Sequence, residues 1–467
     1  MMPRTFSLLK IRSVIVRSAL AAFIGAPFAI AQQANSLPDA PGARRTITAQ
    51  AQTRPPIPSA PQAPAAPKAL PQAITLEQAL ELAKQNNPTL RANETLVLQN
   101  KAQEITANLR PNPVLGLDAQ YLPLFAPDLF TDANYWNDQT QYDVGIGYLF
   151  ERGKKRQHRL DAARTATAVT EAQVSDAQRT TLANAAQLFI AALLAKSNLE
   201  FAEGLRDSYK KTVSLSQDRF NAGAMSRNDL LKIQLQQLQF ESDVNAARLA
   251  LVQALASLRQ FLGFDSVPAN YDVAGSLVYE PVPLRLEDVQ ARALAVRPDL
   301  QAAQRTVVAS ESQVGLAKAN GKVDFNLTFD YTHLNQNNLG AFYFNIPLPI
   351  FNRNQGEIAR TQYVVAQSQF QQKAAEQQVL TDVRNAYEGL RSSEQVVQLY
   401  DQGYLDQATQ SLDITRFSYE HGAASLLDFL DAERSYRSTQ LSYRQALATY
   451  MTSLEQLRQA VGSRGLQ

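Results

Sequence analysis

The chain has 467 residues, a formal net charge of +2 and no cysteine. The near-balanced charge gives no reason to expect a nucleic-acid partner, and the missing thiols exclude a disulfide framework, a thiolate metal centre and a lipidated cysteine behind a leader. Three scattered histidines, His158, His333 and His421, give no basis for a triad or a metal cluster, and neither a Walker loop nor a dinucleotide fingerprint is present. The expectation is a protein that is not an enzyme, with no catalytic, cofactor-binding or metal residues.

Residues 1–31 carry Arg4, Lys10, Arg12 and Arg17 without an acid and then run through an apolar stretch to Ala29 and Ala31, the pattern of a secretory signal peptide. Its removal takes away four basic residues and no acid, so the formal charge moves from +2 to −2. A leader implies export but does not separate a periplasmic fate from an outer-membrane one. Residues 32–71, rich in Ala, Gln and Pro without apolar periodicity, read as a disordered or extended tether.

Beyond the tether the sequence is duplicated. Leu76-Glu77 returns as Leu286-Glu287 and Pro88-x-Leu90 as Pro298-x-Leu300, at an offset of 210. Gly223-Ala224-x-Ser226-x-x-Asp229 returns as Gly422-Ala423-x-Ser425-x-x-Asp428, at an offset of 199. Two copies of about 190 residues, 72–264 and 285–463, are joined by a linker at 265–284 and followed by a tail at 464–467. Each copy opens on a helix, near 75–109 and 285–319. Alternating segments then predict strands at about 113–125 and 138–150 in the first copy and at about 322–334 and 340–351 in the second. In the second copy Phe325, Leu327, Phe329 and Tyr331 alternate with Asp324, Asn326, Thr328 and Asp330, and Phe342, Phe344, Ile346, Leu348 and Ile350 keep the same period. Strands of about ten residues cross a bilayer when tilted; a soluble β-sandwich is the other arrangement that such alternation allows.

A helical hairpin follows in each copy. No proline interrupts residues 155–220, which predicts a helix on the order of 100 Å long. The return helices carry apolar stripes at coiled-coil spacing: Val244, Ala247, Leu251, Leu255, Leu258 and Leu262 in one, Tyr443, Leu447, Tyr450, Leu454, Leu457 and Val461 in the other. A membrane tolerates no open sheet edge, and closed barrels start at about eight strands, so four strands per chain call for sharing. Three copies supply twelve. The expected fold is mainly α with a membrane β-barrel portion: a duplicated helix, two-strand, long-hairpin unit assembled as a trimeric 12-stranded β-barrel.

That order, with Leu76-Glu77-Gln78-Ala79-Leu80, Asn87-Pro88, the Arg219-Phe220-Asn221-Ala222-Gly223 tip and Leu426-Leu427-Asp428-Phe429-Leu430-Asp431, resembles the TolC-like outer-membrane efflux proteins over residues 72–463. The junctions Phe150–Arg156 and Pro347–Gly356 are similar to those of the heavy-metal members of the cobalt-zinc-cadmium type. The resemblance implies a homotrimer embedded in outer-membrane lipid, its β-barrel continued by an α-helical barrel that extends into the periplasm, coupled through a periplasmic adaptor to an inner-membrane pump of the RND type. It would be the channel subunit of a tripartite efflux or secretion system, without a nucleic-acid partner. A periplasmic coiled-coil adaptor is the alternative; it shares the hairpins but has no need of bilayer-length strands. The resemblance further implies a periplasmic gate at Tyr419, Asp428 and Asp431, with Ala424 where the family's gate arginine falls. Adaptor-contacting tips would lie at Gly223, Ala224, Ser226, Gly422, Ala423 and Ser425. The residues by themselves read more simply. Ser226 with Asp229 and Ser425 with Asp428 resemble capping boxes, and the small residues are turn formers. Asp428 and Asp431 share a helical face, and threefold repetition would make them cation-selecting rings at the mouth.

Overall fold

The computed structural model describes residues 73–466. The leader at 1–31 and the tether at 32–71 lie outside the described residues. The first repeat runs β1 (Ala73–Ile74), α1 (Leu76–Asn86), α2 (Pro88–Ala107), β2 (Val114–Gln120), a short α3 (Ala133–Asp138), β3 (Gln141–Phe150), α4 (Lys155–Asn221) and α5 (Arg227–Leu262). After β4 (Asp272–Val273) the second runs α6 (Leu286–Val296), α7 (Pro298–Asn320), β5 (Phe325–Leu334), β6 (Asn337–Asn345), α8 (Gln355–Leu399), α9 (Leu405–Glu420) and α10 (Leu426–Val461). Thr75 starts α1 with a capping box, accepting from the Gln78 amide while the Gln78 side chain accepts from Thr75.

The duplication extends to single hydrogen bonds. Asn87 caps α2 through the Leu90 amide and donates to the Phe261 carbonyl at 2.8 Å, which ties the α1–α2 joint to the end of α5. Its repeat equivalent is Arg297, which donates to the Ala460 carbonyl at 3.1 Å, and Ala460 is the repeat equivalent of Phe261. Arg297 is buried, and its charge is met by Asp299 and Asp382. The two cores match as well. Ala79, Ala83 and Leu258 of the first return as Val289, Ala293 and Leu457 of the second. One window of α4 is apolar enough by composition to cross a membrane, but Ala185, Ala186, Phe189, Ala192 and Leu193 lie buried in the first core. Residues 265–284 do more than link: β4 pairs in parallel with β1, and the Tyr271 hydroxyl donates to the Leu255 carbonyl at 2.6 Å.

The larger sheet is antiparallel in the order β2-β3-β5-β6, so β3 of one repeat pairs directly with β5 of the other. Cross-strand register puts Leu115, Ile146, Phe329 and Phe342 in one row and Leu117, Val144 and Tyr331 in the next, on a single face. Among the described residues nothing covers that face: Leu117 is 72 % exposed and Phe342 75 %. The opposite face is polar, with Asp118 directly across from Asp143, and Gly145 leaves room for the Asp330 carboxylate, which occupies the space a Cβ would need. β5 turns into β6 through Asn335 and Gln336, both with positive φ, the geometry of a tight hairpin. The last strand stops at Asn345, although the apolar alternation runs on to Ile350. Pro347 and Pro349 lack the amide protons that a continued ladder requires.

Where the strands give way to the hairpins, Lys154 and Asn354 adopt left-handed backbone immediately before α4 and α8. Lys155 pairs with Asp324 at 2.6 Å, and Arg159 pairs with Glu151, so the first junction is clamped to the start of β5.

The two long helices differ at one point. α4 is continuous over 67 residues, whereas its counterpart breaks between α8 and α9 in a π-helical turn, Tyr400–Tyr404, centred on Gly403 at φ +119°. The repeat equivalent of Gly403 is Gly204, which lies inside α4 with nothing near its missing Cβ. The same residue is therefore used twice in opposite ways. Gly204→Ala is expected to stabilise the protein by about 0.5–1 kcal/mol through helix propensity. Gly403→Ala is expected to cost about 1–3 kcal/mol, because an alanine is strained at that φ. Thermal unfolding in detergent checks the pair, whose midpoints should move in opposite directions.

Candidate functional site: the paired hairpin tips

Each hairpin reverses by the same device. In the first, Gly223 takes φ +74° and the Ala224 amide donates to the Arg219 carbonyl at 2.8 Å; in the second, Gly422 takes φ +76° and the Ala423 amide donates to the Ser418 carbonyl at 2.7 Å. These bonds close the C-termini of α4 and α9 as Schellman-type turns. Nothing lies within 4 Å of where a Cβ would be on either glycine, and Gly223, Ala224, Ser226, Gly422, Ala423 and Ser425 are all exposed.

The serines then start the return helices. Ser226 accepts from the Asp229 amide at 3.1 Å, and Ser425 accepts from the Asp428 amide at 3.2 Å while the Asp428 carboxylate accepts from the Ser425 amide and hydroxyl. Those two bonds hold the Asp428 carboxyl below the usual carboxylate range. The cap contribution of Asp428 is therefore present at neutral pH and is lost only as pH falls through that depressed value. Asp431, one turn further on, is exposed and lies 3.8 Å from an equally exposed Arg434, a pairing worth little in water. The first six residues of α5, Arg227 to Lys232, sum to +1, whereas those of α10, Leu426 to Asp431, sum to −2. The acidity belongs to the second tip alone.

Tyr419 does not share the exposure of Asp428 and Asp431. It is buried, its ring stacked on Phe429 at 5.2 Å and 6°, in a core that also holds Tyr209, Ile233 and Phe240 from the first hairpin and Leu412 from the second. That core fastens one tip to the other. Three further groups lie in or beside it, and two of them, Arg219 and Arg437, carried no signal of their own in the sequence. Arg219, at the end of α4, donates to the Tyr419 carbonyl at 3.4 Å and to the Glu420 carbonyl, with its guanidinium over the Tyr419 ring. Arg437 of α10 pairs with Asp243 of α5 and lies over Phe240. Glu433 of α10 is buried in the same place, and burial pushes its carboxyl up to about 7 against the opposing pull of Arg416 and Arg437. A signal for Glu433 did exist: it follows Phe429 by four residues, which puts an acid on the buried stripe. Arg219 had none, because its acceptors lie 200 residues away.

The histidines are dispersed. His158 packs against Gly315, His333 bonds with Asn338 at 2.8 Å, and the His421 ring donates to the Phe417 carbonyl at 2.8 Å. Among the described residues no group of three or more His, Asp or Glu is placed to hold a metal ion.

The Outer membrane efflux protein family matches this chain at residues 79–264 and 289–463, one block on each repeat. Among curated proteins, the cobalt-zinc-cadmium resistance protein CzcC of Cupriavidus metallidurans is 24 % identical over 374 residues, covering 79 % of this chain and 85 % of the relative. The outer membrane protein TolC of Salmonella enteritidis is 24 % identical over 420 residues, covering 84 % of this chain and 83 % of the relative. Among solved structures, the open state of the MtrE outer membrane channel of Neisseria gonorrhoeae superposes with a TM-score of 0.68 at 19 % identity, covering 84 % of this chain and 90 % of that one, which shows a shared fold. With both repeats matched and the helix, two-strand, hairpin order present in each, the chain belongs to the outer membrane efflux protein family, the TolC-like channels of the outer membrane.

Proposed function

We propose that three copies of this chain assemble into one duct, a 12-stranded barrel in the outer membrane continued by a helical barrel across the periplasm. The observation that carries the reading is the sheet: one face is apolar and uncovered, and β2 and β6 are unpaired edges among the described residues. An edge exposed to lipid leaves backbone groups unsatisfied, and joining to further copies removes both edges at once. The protein is a conduit and not a catalyst. The exposed small residues at the tips, Gly223, Ala224, Ser226, Gly422, Ala423 and Ser425, suit the close approach of a periplasmic adaptor, itself coupled to an inner-membrane pump of the RND type. The similarity to a cobalt-zinc-cadmium resistance protein favours metal-cation export. Asp428 and Asp431, repeated around a threefold axis, form the acidic gate. Tyr419 supports it from behind, through the core that holds the second tip on the first. Repeats at 72–264 and 285–463 each contribute two strands and one hairpin, behind a cleaved leader at 1–31 and a tether at 32–71.

The test is to purify the full-length protein in detergent, measure its mass, and add it to planar bilayers. A complex of three chains giving small, cation-selective conductance is the expected result. A monomer that stays soluble without detergent and gives no channels would overturn the proposal in favour of a coiled-coil adaptor.

A further inference from the structure

We propose that Glu433 is a proton-binding latch: protonated, it lets the second hairpin stay packed on the first, and ionised, it frees the second tip. The effect on conduction rests on the channel reading above; the latch itself is a property of the tip core.

Glu433 has no ion pair of its own among the described residues. The residue is 7 % exposed and its Oε2 has no hydrogen-bond partner. The neighbouring hydroxyl of Tyr209, a residue only 1 % exposed, is equally unpartnered. The two arginines that face Glu433 have other partners: Arg437 pairs with Asp243 across the hairpins, and Arg416 lies 3.6 Å from Asp413 on its own helix. A carboxylate in this position is thus buried with an unpartnered oxygen and no ion pair among the described residues, which is costly unless it is neutral or the packing opens. Opening is available. The wall opposite Glu433 is built from Tyr209, Ile233 and Phe240 of the first hairpin, held to the second by Arg219, by Arg437 and by this core.

The groups that could respond to pH are few. α4 presents Tyr209 and, at its end, Arg219; α5 presents Asp243; α9 presents Arg416 and Tyr419; α10 adds Arg437, and His421 lies in the turn. Burial raises both tyrosines above their ordinary value, so neither ionises near neutrality. In the packed state the Glu433 carboxyl is raised to about 7, whereas freed into water it returns to the ordinary range. The packed state binds the extra proton. Packing is accordingly at full strength at acidic pH and weakens as pH rises towards and past about 7.

Hydrogen exchange of the full-length protein in detergent at pH 6 and pH 8, corrected for intrinsic exchange rates, tests this directly. Protection over residues 405–440 of the wild type should fall about ten-fold from pH 6 to pH 8, the response of a single proton with its midpoint between them. Glu433→Gln, which is always neutral, should keep the same protection at both. His421→Gln should behave as the wild type, which ties the response to Glu433 rather than to the imidazole in the turn. In planar bilayers wild-type conductance should rise over this interval and that of Glu433→Gln should not. An unchanged pH response in Glu433→Gln, or none in the wild type, would overturn the latch. A pH response in exchange without any conductance would leave the latch standing and remove the channel reading.

Discussion

Replacing Asp428 and Asp431 together by asparagine is expected to reduce cation preference in planar bilayers about five- to ten-fold. Threefold repetition would place six carboxylates around the mouth. A unit charge about 8 Å from a passing ion contributes about 0.5 kcal/mol in water, so six give about 3 kcal/mol before screening. At physiological salt, where the screening length is about 8 Å, roughly a third of that survives, and about 1 kcal/mol is a five- to ten-fold change. Asparagine is the instructive replacement because Asp428 has two jobs. Its carboxylate accepts from the Ser425 amide and hydroxyl, so alanine would remove both the charge and the cap, whereas an amide oxygen can still accept. Asp229→Asn is the control: it holds the matching position in the first hairpin, where it accepts from the Ser226 hydroxyl, but lies 3.6 Å from Lys232, and should change selectivity much less. A double variant with wild-type selectivity would remove these acids from the conduction path.

The strands and the duplication could be read from the residues because both are local or periodic signals. Alternation over Phe325–Tyr331 survives as one face of β5, and the absence of proline from 155–220 survives as the uninterrupted α4. The signal failed where a pattern continued past its backbone chemistry, as it does beyond Asn345, where the two prolines end the ladder, and in the first strand, expected to reach 125 but ending at Gln120, before the positive φ of Tyr121. It failed again at Gly403. An identical glycine at position 204 is helical, so residue type cannot decide between helix and π-turn; the surroundings do, with Tyr400 against Tyr443 and the Tyr443 hydroxyl bonded to Asp401. The tip shows the same division. Ser425 and Asp428 were visible as a cap because the bond spans three residues, whereas the burial of Tyr419 and the reach of Arg219 depend on how two distant hairpins meet.

Phe429→Ala is expected to destabilise the tip by about 3–5 kcal/mol, the usual loss when a buried phenylalanine is truncated. The side chain is only 1 % exposed and stacks on Tyr419, so its removal opens a cavity where the two hairpins join. The loss should stay local. The tip core is separate from the two cores of the body, which are anchored by Asn87 and Arg297 near the far ends of α5 and α10. Regions held by a small core of their own open independently of the rest. The thermal midpoint in detergent should therefore move little, while hydrogen exchange over residues 405–440 should accelerate more than a hundred-fold, since about 1.4 kcal/mol corresponds to a factor of ten. If the tip core holds the gate shut, the same variant should also spend more time conducting than the wild type. Leu427→Ala, two residues away on the exposed side, should leave protection within the protomer unchanged. Equal acceleration in both variants would mean that the tip is held by contacts between copies rather than by the core formed within each one.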